Sequence, residues 1–144
     1  MSATGRGALR PVHDFYETPA WCVDALFGAE PLCGPFMDPC CGSGAILNAI
    51  DGRGEAWGRD IDPALVAQAK QRGRTLCVED YLGAKRFPGG CDDTVVMNPP
   101  YRLAAEFVRA ALGDAAPGRK VCALLRLNFL GSSRSRLNLV GPDS

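Results

Sequence analysis

The chain has 144 residues, enough for one domain whose hydrophobic core needs no metal or disulfide to support it. Hydrophobic residues make up 47% of the sequence and charged residues 22%, as in ordinary globular proteins. The apolar runs are too short to span a bilayer, and the N-terminus lacks the apolar segment of a signal peptide. We therefore expect a cytoplasmic protein with no membrane partner.

The cysteine pattern argues against a metal site. The sequence contains seven cysteines but no C-x-x-C pair, and His13 is its single histidine. Structural zinc sites use regularly spaced Cys and His, and the adjacent Cys40 and Cys41 are poorly arranged to hold one ion. We predict no metal, and interpret the cysteines as small apolar side chains in a reducing compartment.

The net charge is zero, but the charges are unevenly distributed along the chain. Residues 1–100 carry 9 Lys and Arg against 13 Asp and Glu, whereas residues 101–144 carry 7 against 3. A basic last part is typical of a surface that faces a polyanion, although imbalances of this size are also common by chance. The arginines that could contact phosphates there are Arg102, Arg109, Arg126, Arg134 and Arg136.

Strand and helix signals alternate after a loose tail at residues 1–11, which are rich in Gly, Ser and Ala. The predicted elements are strand 35–40, helix 43–50, strand 55–62, helix 63–73, strand 75–80, strand 93–98, helix 102–113 and strand 120–130. Pro63 and Gly73 are typical of the first turn and the end of the second helix. This order predicts an α/β fold with a doubly wound, mostly parallel sheet flanked by helices.

Polar residues close four of the predicted strands: Asp38, Asp60, Asp80 and Asn98. The carboxyl ends of parallel strands lie at one edge of a sheet, which is where ligands bind in this class of fold. The sequence therefore predicts a site at that edge.

The segment "DPCCGSG" (38–44) places Gly42 and Gly44 between a strand and a helix. Glycines there allow a tight turn and close approach of a ligand to the backbone. The third glycine of a dinucleotide fingerprint is missing, because Leu47 occupies that position. A tight turn with no ligand is the alternative interpretation.

Two acidic residues suit a nucleoside. Asp60 ends the strand after the glycine turn, where a carboxylate can accept hydrogen bonds from ribose hydroxyls. Asp62 competes for that role, but its position before Pro63 is more typical of a helix cap. Asp80 could accept from an adenine amino group beside the backbone of Tyr81, although alone it resembles an ordinary loop carboxylate.

The segment "NPPY" (98–101) follows an apolar strand. The amide oxygen of Asn98 and the carbonyl of Pro99 are two acceptors on a backbone that the proline rings stiffen. They suit a planar –NH₂ group, on which Tyr101 could stack. The alternative is that Pro99 and Pro100 only end the strand.

Together these motifs resemble the class I S-adenosylmethionine-dependent methyltransferases, specifically the DNA adenine N6-methyltransferase type with the gamma-like motif order of short phage enzymes. "DPCCGSG" is similar to their glycine motif, "GRDIDP" to the ribose motif, "VEDYL" to the adenine motif and "NPPY" to the catalytic motif. The N-terminal "DFYETPAW" (14–21) is similar to the segment that packs over the cofactor's methionine part. The resemblance implies a Rossmann-like fold, S-adenosylmethionine as cofactor and DNA as partner.

The resemblance also implies roles for individual residues. The cofactor would be held by Tyr16, Thr18, Pro19, Asp38, Gly42, Gly44, Asp60, Asp80 and Tyr81. The target amine would be held and stacked by the catalytic residues Asn98, Pro99, Pro100 and Tyr101. No catalytic nucleophile or metal is implied, because positioning an amine in line with the methyl group supplies most of the catalysis.

The C-terminal region departs from that family. The catalytic domain is expected at residues 12–136 and an irregular tail at 137–144, where the antiparallel strand pair that normally closes the sheet cannot be found. We expect an incomplete sheet, either because the chain is truncated or frameshifted near Arg136 or because a second chain completes the fold. The fifth strand would then have an exposed edge, which favours self-association.

Two other functions remain open from the sequence. "NPPY" also serves enzymes that methylate a glutamine amide in a protein or a base amine in RNA. A non-catalytic module that binds cofactor or nucleic acid is an alternative of a different class.

Overall fold

The computed structural model describes residues 16–71 and 75–126. Its helices are α1 (Ala20–Ala29), α2 (Ala45–Ile50), α3 (Pro63–Lys70) and α4 (Ala104–Asp114). Its strands are β1 (Phe36–Asp38), β2 (Ala56–Asp60), β3 (Thr75–Val78), β4 (Thr94–Met97) and β5 (Val121–Ala123). Short 3-10 turns cover Tyr81–Gly83 and Tyr101–Leu103.

The five strands form one parallel sheet in the order β3-β2-β1-β4-β5. The order reverses between β1 and β4, which gives a doubly wound sheet with a switch point next to β1. The predicted α/β fold is confirmed. No helix in the described ranges is long and apolar enough to cross a membrane.

Alternate side chains of the central strands face opposite layers of helices. Phe36 of β1 and Val96 of β4 pack with α1 and α2. Met37 of β1, with Val95 and Met97 of β4, packs with α4 on the other face. Because both faces are covered, the strands are apolar throughout rather than alternating, as expected for buried parallel strands.

Most element boundaries move inward by one or two residues relative to the prediction. Strand β1 ends at Asp38, whose Oδ1 accepts a hydrogen bond from the Cys40 backbone N–H 3.0 Å away and starts the turn. Helix α3 begins as predicted: Asp62 caps it by accepting from the Ala64 N–H at 2.9 Å, and Pro63 occupies its first turn. Its predicted end at Gly73 lies outside the described residues.

Helix α1 was not predicted. No side chain caps its first turn, because Pro19 occupies the capping position. Its apolar and polar residues are also not clearly separated onto opposite faces of the helix. The helix packs through Val23 and Leu26 against Phe36 and Ile46. Tertiary packing therefore stabilises it in place of local sequence signals.

Strand β5 is described over Val121–Ala123, and the remainder of the predicted strand 120–130 beyond residue 126 lies outside the described residues. Within the part of the chain that the structure describes, β5 pairs with β4 and with no strand on its other side. The predicted tails at 1–11 and 137–144 lie outside the described residues as well.

Gly58 in β2 has no room for a side chain larger than hydrogen. A Cβ on Gly58 would lie 2.8 Å from Cys41 Cβ and 2.8 Å from Leu47 Cδ1, closer than packed carbons approach. We expect Gly58→Ala to lower the free energy of unfolding by about 1–3 kcal/mol, because α2 and the glycine turn must shift outward. Urea denaturation followed by circular dichroism measures the change.

Gly28→Ala in α1 is the matched control, since no atom lies within 4 Å of the added carbon. It should leave stability equal or raise it by about 0.5–1 kcal/mol, the usual gain at a helix position. A Gly58→Ala protein as stable as the wild type would contradict the close packing of β2 on the turn.

Candidate functional site

The turn after β1 requires its two glycines. Gly42 and Gly44 have φ angles of 55° and 92°, in the left-handed region where a side chain is strained. The Gly44 N–H donates to the Cys41 carbonyl at 2.9 Å, and the Gly44 carbonyl accepts from the Asn48 N–H, which begins α2. The glycine motif is therefore a tight strand-to-helix turn, the geometry expected at the sheet's switch point.

The carboxylate of Asp60 holds this turn from the neighbouring strand. Its Oδ2 accepts from the Gly42 N–H at 2.9 Å, and its Oδ1 accepts from the Asp62 N–H at 2.9 Å. Only 1% of Asp60 is exposed. The side chain thus connects the loops that follow β1 and β2, and its predicted contact with a ribose stays a prediction.

Two further buried groups lie under the turn. Asp38 is fully buried beside Cys40, and Cys41 packs against Gly58 of β2. Burial, reinforced by the negative charges of Asp38 and Asp60, raises the pKa of the Cys41 thiol far above its usual range. Cys41 therefore stays protonated at neutral pH, which makes it a poor nucleophile and a poor metal ligand.

The segment that precedes α1 crosses the glycine turn. Ser43 Oγ donates to Glu17 Oε1 at 2.6 Å, and the neighbouring Thr18 is buried and lines the same cleft as Ser43. Pro19 lies at the start of α1, where its carbonyl accepts from the Cys22 N–H at 3.0 Å. The predicted N-terminal residues and the predicted glycine turn are thus brought together.

Asn98 follows β4 at the same edge of the sheet. Its Nδ2 donates to the Tyr16 carbonyl at 3.1 Å, a contact between residues far apart in the sequence. The amide nitrogen of Asn98 therefore faces Tyr16, and the amide oxygen faces away from it. Among the described residues, none donates a hydrogen bond to the Asn98 Oδ1. The amide oxygen is therefore available as an acceptor.

Two small clefts meet at Asn98. The first encloses about 20 Å³ and is lined by residues that include Tyr16, Thr18, Asp38, Gly42, Ser43 and Asn98. The second encloses about 240 Å³ and is lined by Tyr16, Asn98, Pro99, Tyr101, Ala104, Leu124, Leu125 and Arg126. Tyr16 and Asn98 are shared by both clefts, so the predicted cofactor side and the predicted acceptor side adjoin at these two residues.

The loop beyond Asn98 is rigidly packed. Pro99 and Pro100 are buried, and the 3-10 turn that follows begins at Tyr101. Tyr101 is 37% exposed as a residue, and the Arg126 guanidinium carbon lies 3.9 Å from the centroid of its ring. The tyrosine therefore lies at the second cleft with Arg126 covering one face of its ring.

Asp80 and Tyr81 lie outside both clefts. Asp80 follows β3 and its side chain lies over Gly83, while the Tyr81 side chain is 3% exposed and stacks on Phe107 at 5.6 Å between ring centroids. Burial raises the pKa of the Tyr81 hydroxyl. The Tyr81 ring is thus a core side chain, and its backbone is the part left for the predicted adenine contact.

Sequence reasoning gave no role to Glu17 or Ser43, although both stand inside quoted motifs. Their hydrogen bond joins the N-terminal segment to the glycine turn. The resemblance places the segments "DFYETPAW" and "DPCCGSG" next to each other. Glu17 in the first and Ser43 in the second could have been recognised there as a possible acceptor and donor. Within 16–71 and 75–126, no cluster of His, Cys, Asp or Glu could hold a metal ion.

A larger groove of about 530 Å³ runs between α1 and the β4–β5 face. It is mostly apolar, lined by side chains such as Val23, Leu26 and Val121. We favour the two smaller clefts as the site because Asp38 and Asn98, two of the polar residues at the strand ends, line them and can fix a ligand's orientation.

Comparisons with known proteins place the chain by its fold. No family model and no curated protein matches the sequence. Among solved structures, it is similar to a modification subunit assigned to a type I restriction enzyme from Vibrio vulnificus YJ016 (TM-score 0.68, 13% identity, covering 90% of this chain and 38% of that one). It is also similar to TrmN from Thermus thermophilus (TM-score 0.66, 20% identity, 97% and 45%).

A third structure is an RNA methyltransferase from Salinibacter ruber in complex with S-adenosyl-L-homocysteine (TM-score 0.64, 18% identity, 83% and 84%). The chain spans about half the length of other solved structures that it matches, between 49% and 60% of each. At these identities the likeness is one of architecture. The parallel five-stranded sheet with helices on both faces is the Rossmann-like fold of the class I methyltransferases.

Proposed function

We propose that the chain binds S-adenosylmethionine at the carboxyl edge of the sheet and transfers its methyl group to an amino group held by Asn98. The favoured acceptor is the exocyclic amino group of adenine in DNA. One observation carries the proposal: Asn98 lines both the cleft of the glycine turn and the cleft of Pro99 and Tyr101. A donor and an acceptor in these two clefts would meet at this side chain.

The residues of the first cleft fit the cofactor chemically. The turn at Gly42 and Gly44 allows close approach to backbone, and carboxylates lie around it at Asp38 and Glu17. The cleft encloses only about 20 Å³, less than a methionine side chain occupies. We therefore expect the Glu17 side chain to move on binding, which breaks its hydrogen bond with Ser43 and leaves the Tyr16 carbonyl at Asn98.

The chain's part in the reaction is to hold and orient the amine. When bound, S-adenosylmethionine supplies a methyl group on a positively charged sulfur and leaves as the neutral thioether. Asn98 Oδ1 and the Pro99 carbonyl accept hydrogen bonds from the two N–H groups of the amine. The nitrogen lone pair is then directed at the methyl carbon, and the methylated nitrogen releases one proton to water.

The contact between Asn98 and Tyr16 contributes to this geometry. Because Asn98 Nδ2 donates to the Tyr16 carbonyl, the amide cannot rotate without losing that bond, and its oxygen stays directed at the acceptor. Correct orientation of two reactants lowers a barrier by about 7–11 kcal/mol in well-aligned systems. Fixing the amide therefore matters more than any proton transfer by a side chain.

The preference for DNA is supported by the second cleft and by the basic residues around it. Tyr101 is an exposed aromatic residue whose ring can stack on a planar base, Arg126 lies over that ring, and Arg102 is the next residue in the chain. In duplex DNA the base would rotate out of the helix, at a cost of a few kcal/mol that stacking partly offsets. RNA and protein are the alternative acceptors, and the transfer assay below compares them with DNA.

The first test concerns the cofactor contact of Asp60. If Asp60 accepts from the ribose hydroxyls, Asp60→Asn should weaken binding of S-adenosylhomocysteine by about tenfold, because a charge-assisted hydrogen bond is lost. Titration calorimetry measures the affinity. The same variant should bind the 2′,3′-dideoxy analogue as the wild type does, since that ligand has no hydroxyls to donate.

Asp92→Asn is the control for charge, because Asp92 is exposed and pairs with Arg119 just before β4, at the opposite edge of the sheet. It should leave both affinities unchanged. Equal losses for the two ligands in Asp60→Asn would assign Asp60 to bracing the glycine turn alone. Failure of the wild type to bind either ligand would contradict the proposed cofactor.

The second test concerns transfer. Asn98→Ala should reduce methyl transfer to adenine-containing DNA by at least about a hundredfold, because the amine loses the acceptor that orients it. Radiolabelled S-adenosylmethionine is incubated with DNA, RNA and protein acceptors, and N6-methyladenine is identified by mass spectrometry of the hydrolysed DNA. Affinity for S-adenosylhomocysteine should change little.

Asn48→Ala in α2 is the matched control, since Asn48 lines neither cleft. It should transfer methyl groups at the wild-type rate. Label on RNA or protein, with none on DNA, would overturn the choice of acceptor. Cofactor binding without transfer to any of the three would support a non-catalytic binding module instead.

A further inference from the structure

The ring of Tyr101 already has a partner in the structure. The guanidinium of Arg126 lies 3.9 Å from the ring centroid, well within the range of a cation–π contact. Arg126 comes from the segment after β5, whereas Tyr101 follows β4, so the contact joins the ends of two neighbouring strands. Both residues line the second cleft.

Arg126 and a stacked base cannot share this face of the ring. A base packs with its atoms about 3.5 Å from the atoms of the ring beneath it. A base inserted between Tyr101 and Arg126 would therefore need about 7 Å between them, against the 3.9 Å observed. The guanidinium leaves the face before a planar group can stack there.

We propose that Arg126 exchanges the face of Tyr101 for a phosphate of the target nucleotide when the base enters the second cleft. The inference rests on the proposed function, because it concerns the same acceptor cleft. Arg126 is a positioning residue. It competes with a free base or nucleoside for the ring of Tyr101, and it assists binding of a nucleotide whose phosphate it can contact. The cleft thereby discriminates a polynucleotide from a free base or another planar amine.

The chemistry of arginine suits both positions. A guanidinium is planar and always charged, so it stacks on an aromatic ring and also forms paired hydrogen bonds with phosphate oxygens. The cation–π contact at a partly exposed site stabilises the resting position modestly, by a factor of about two to five. A charge-assisted contact with phosphate is at least as strong, so the exchange needs no other source of energy.

The experiment compares two ligands with Arg126→Ala. The nucleoside 2-aminopurine riboside has no phosphate, and its fluorescence is quenched on stacking. A single-stranded DNA oligonucleotide containing 2-aminopurine has the same base with phosphates. The variant should bind the nucleoside about two- to fivefold more tightly, the loss of a competing 0.5–1 kcal/mol contact. It should bind the oligonucleotide more weakly, with the slope of log affinity against log salt reduced by about one.

Lys85→Ala is the matched control. Lys85 is another cation over an aromatic ring, 5.4 Å from the Phe87 centroid, and it lies outside the second cleft. It should change neither the nucleoside affinity nor the salt slope. Tyr101→Leu should abolish the quenching of both ligands, which verifies that stacking on Tyr101 is what the fluorescence measures.

The proposal is overturned if Arg126→Ala leaves nucleoside binding unchanged or weakens it, or if the salt slope for the oligonucleotide stays at the wild-type value. An equal effect from Lys85→Ala would also overturn it, because the effect would then belong to net charge. Both assays are run without S-adenosylmethionine. Their outcome is therefore separate from methyl transfer and from cofactor binding.

Discussion

The carboxylate of Asp60 is the interaction on which the candidate site depends. By accepting from the N–H groups of Gly42 and Asp62, it joins the loops after β1 and β2 at the centre of the sheet. A buried carboxylate is costly unless hydrogen bonds compensate it, and here two backbone donors do so. The left-handed glycines need such support, because a turn of this shape is otherwise one of several that the segment could adopt. The position of α2, and of every group that packs over the turn, follows from it.

A second connection brings the acceptor loop to this turn. The segment that contains Tyr16 crosses from Ser43 to Asn98 and is bonded to both ends, through Glu17 and through the Tyr16 carbonyl. The N-terminal segment is therefore more than a cover for the turn. This segment orients the Asn98 amide. A movement of the segment over Gly42 would therefore change the orientation of Asn98 in the second cleft. In the proposed function, this connection couples the binding of the methyl donor to the orientation of the acceptor.

The sequence predicted the parallel sheet, because apolar strands that end in Asp38, Asp60 and Asn98 leave little choice of architecture, and it proposed the carboxyl edge of that sheet for the candidate site. It did not predict α1, which has no capping signal and is stabilised by packing on Phe36. Nor could it tell that the Tyr81 ring belongs to the core, since a residue just past a strand can face either way. The contact between Asn98 and Tyr16 joins residues too far apart in sequence for any local pattern to reveal.

Amide chemical-shift mapping with S-adenosylhomocysteine is the most direct test of where the donor lies. The cofactor proposal expects the largest shifts at Gly42, Ser43 and Gly44, with smaller ones at Thr18 and Asn98. Shifts confined to the apolar groove between α1 and β5, around Val23 and Val121, would contradict the proposal, because a ligand there would lie away from the turn that Asp60 supports.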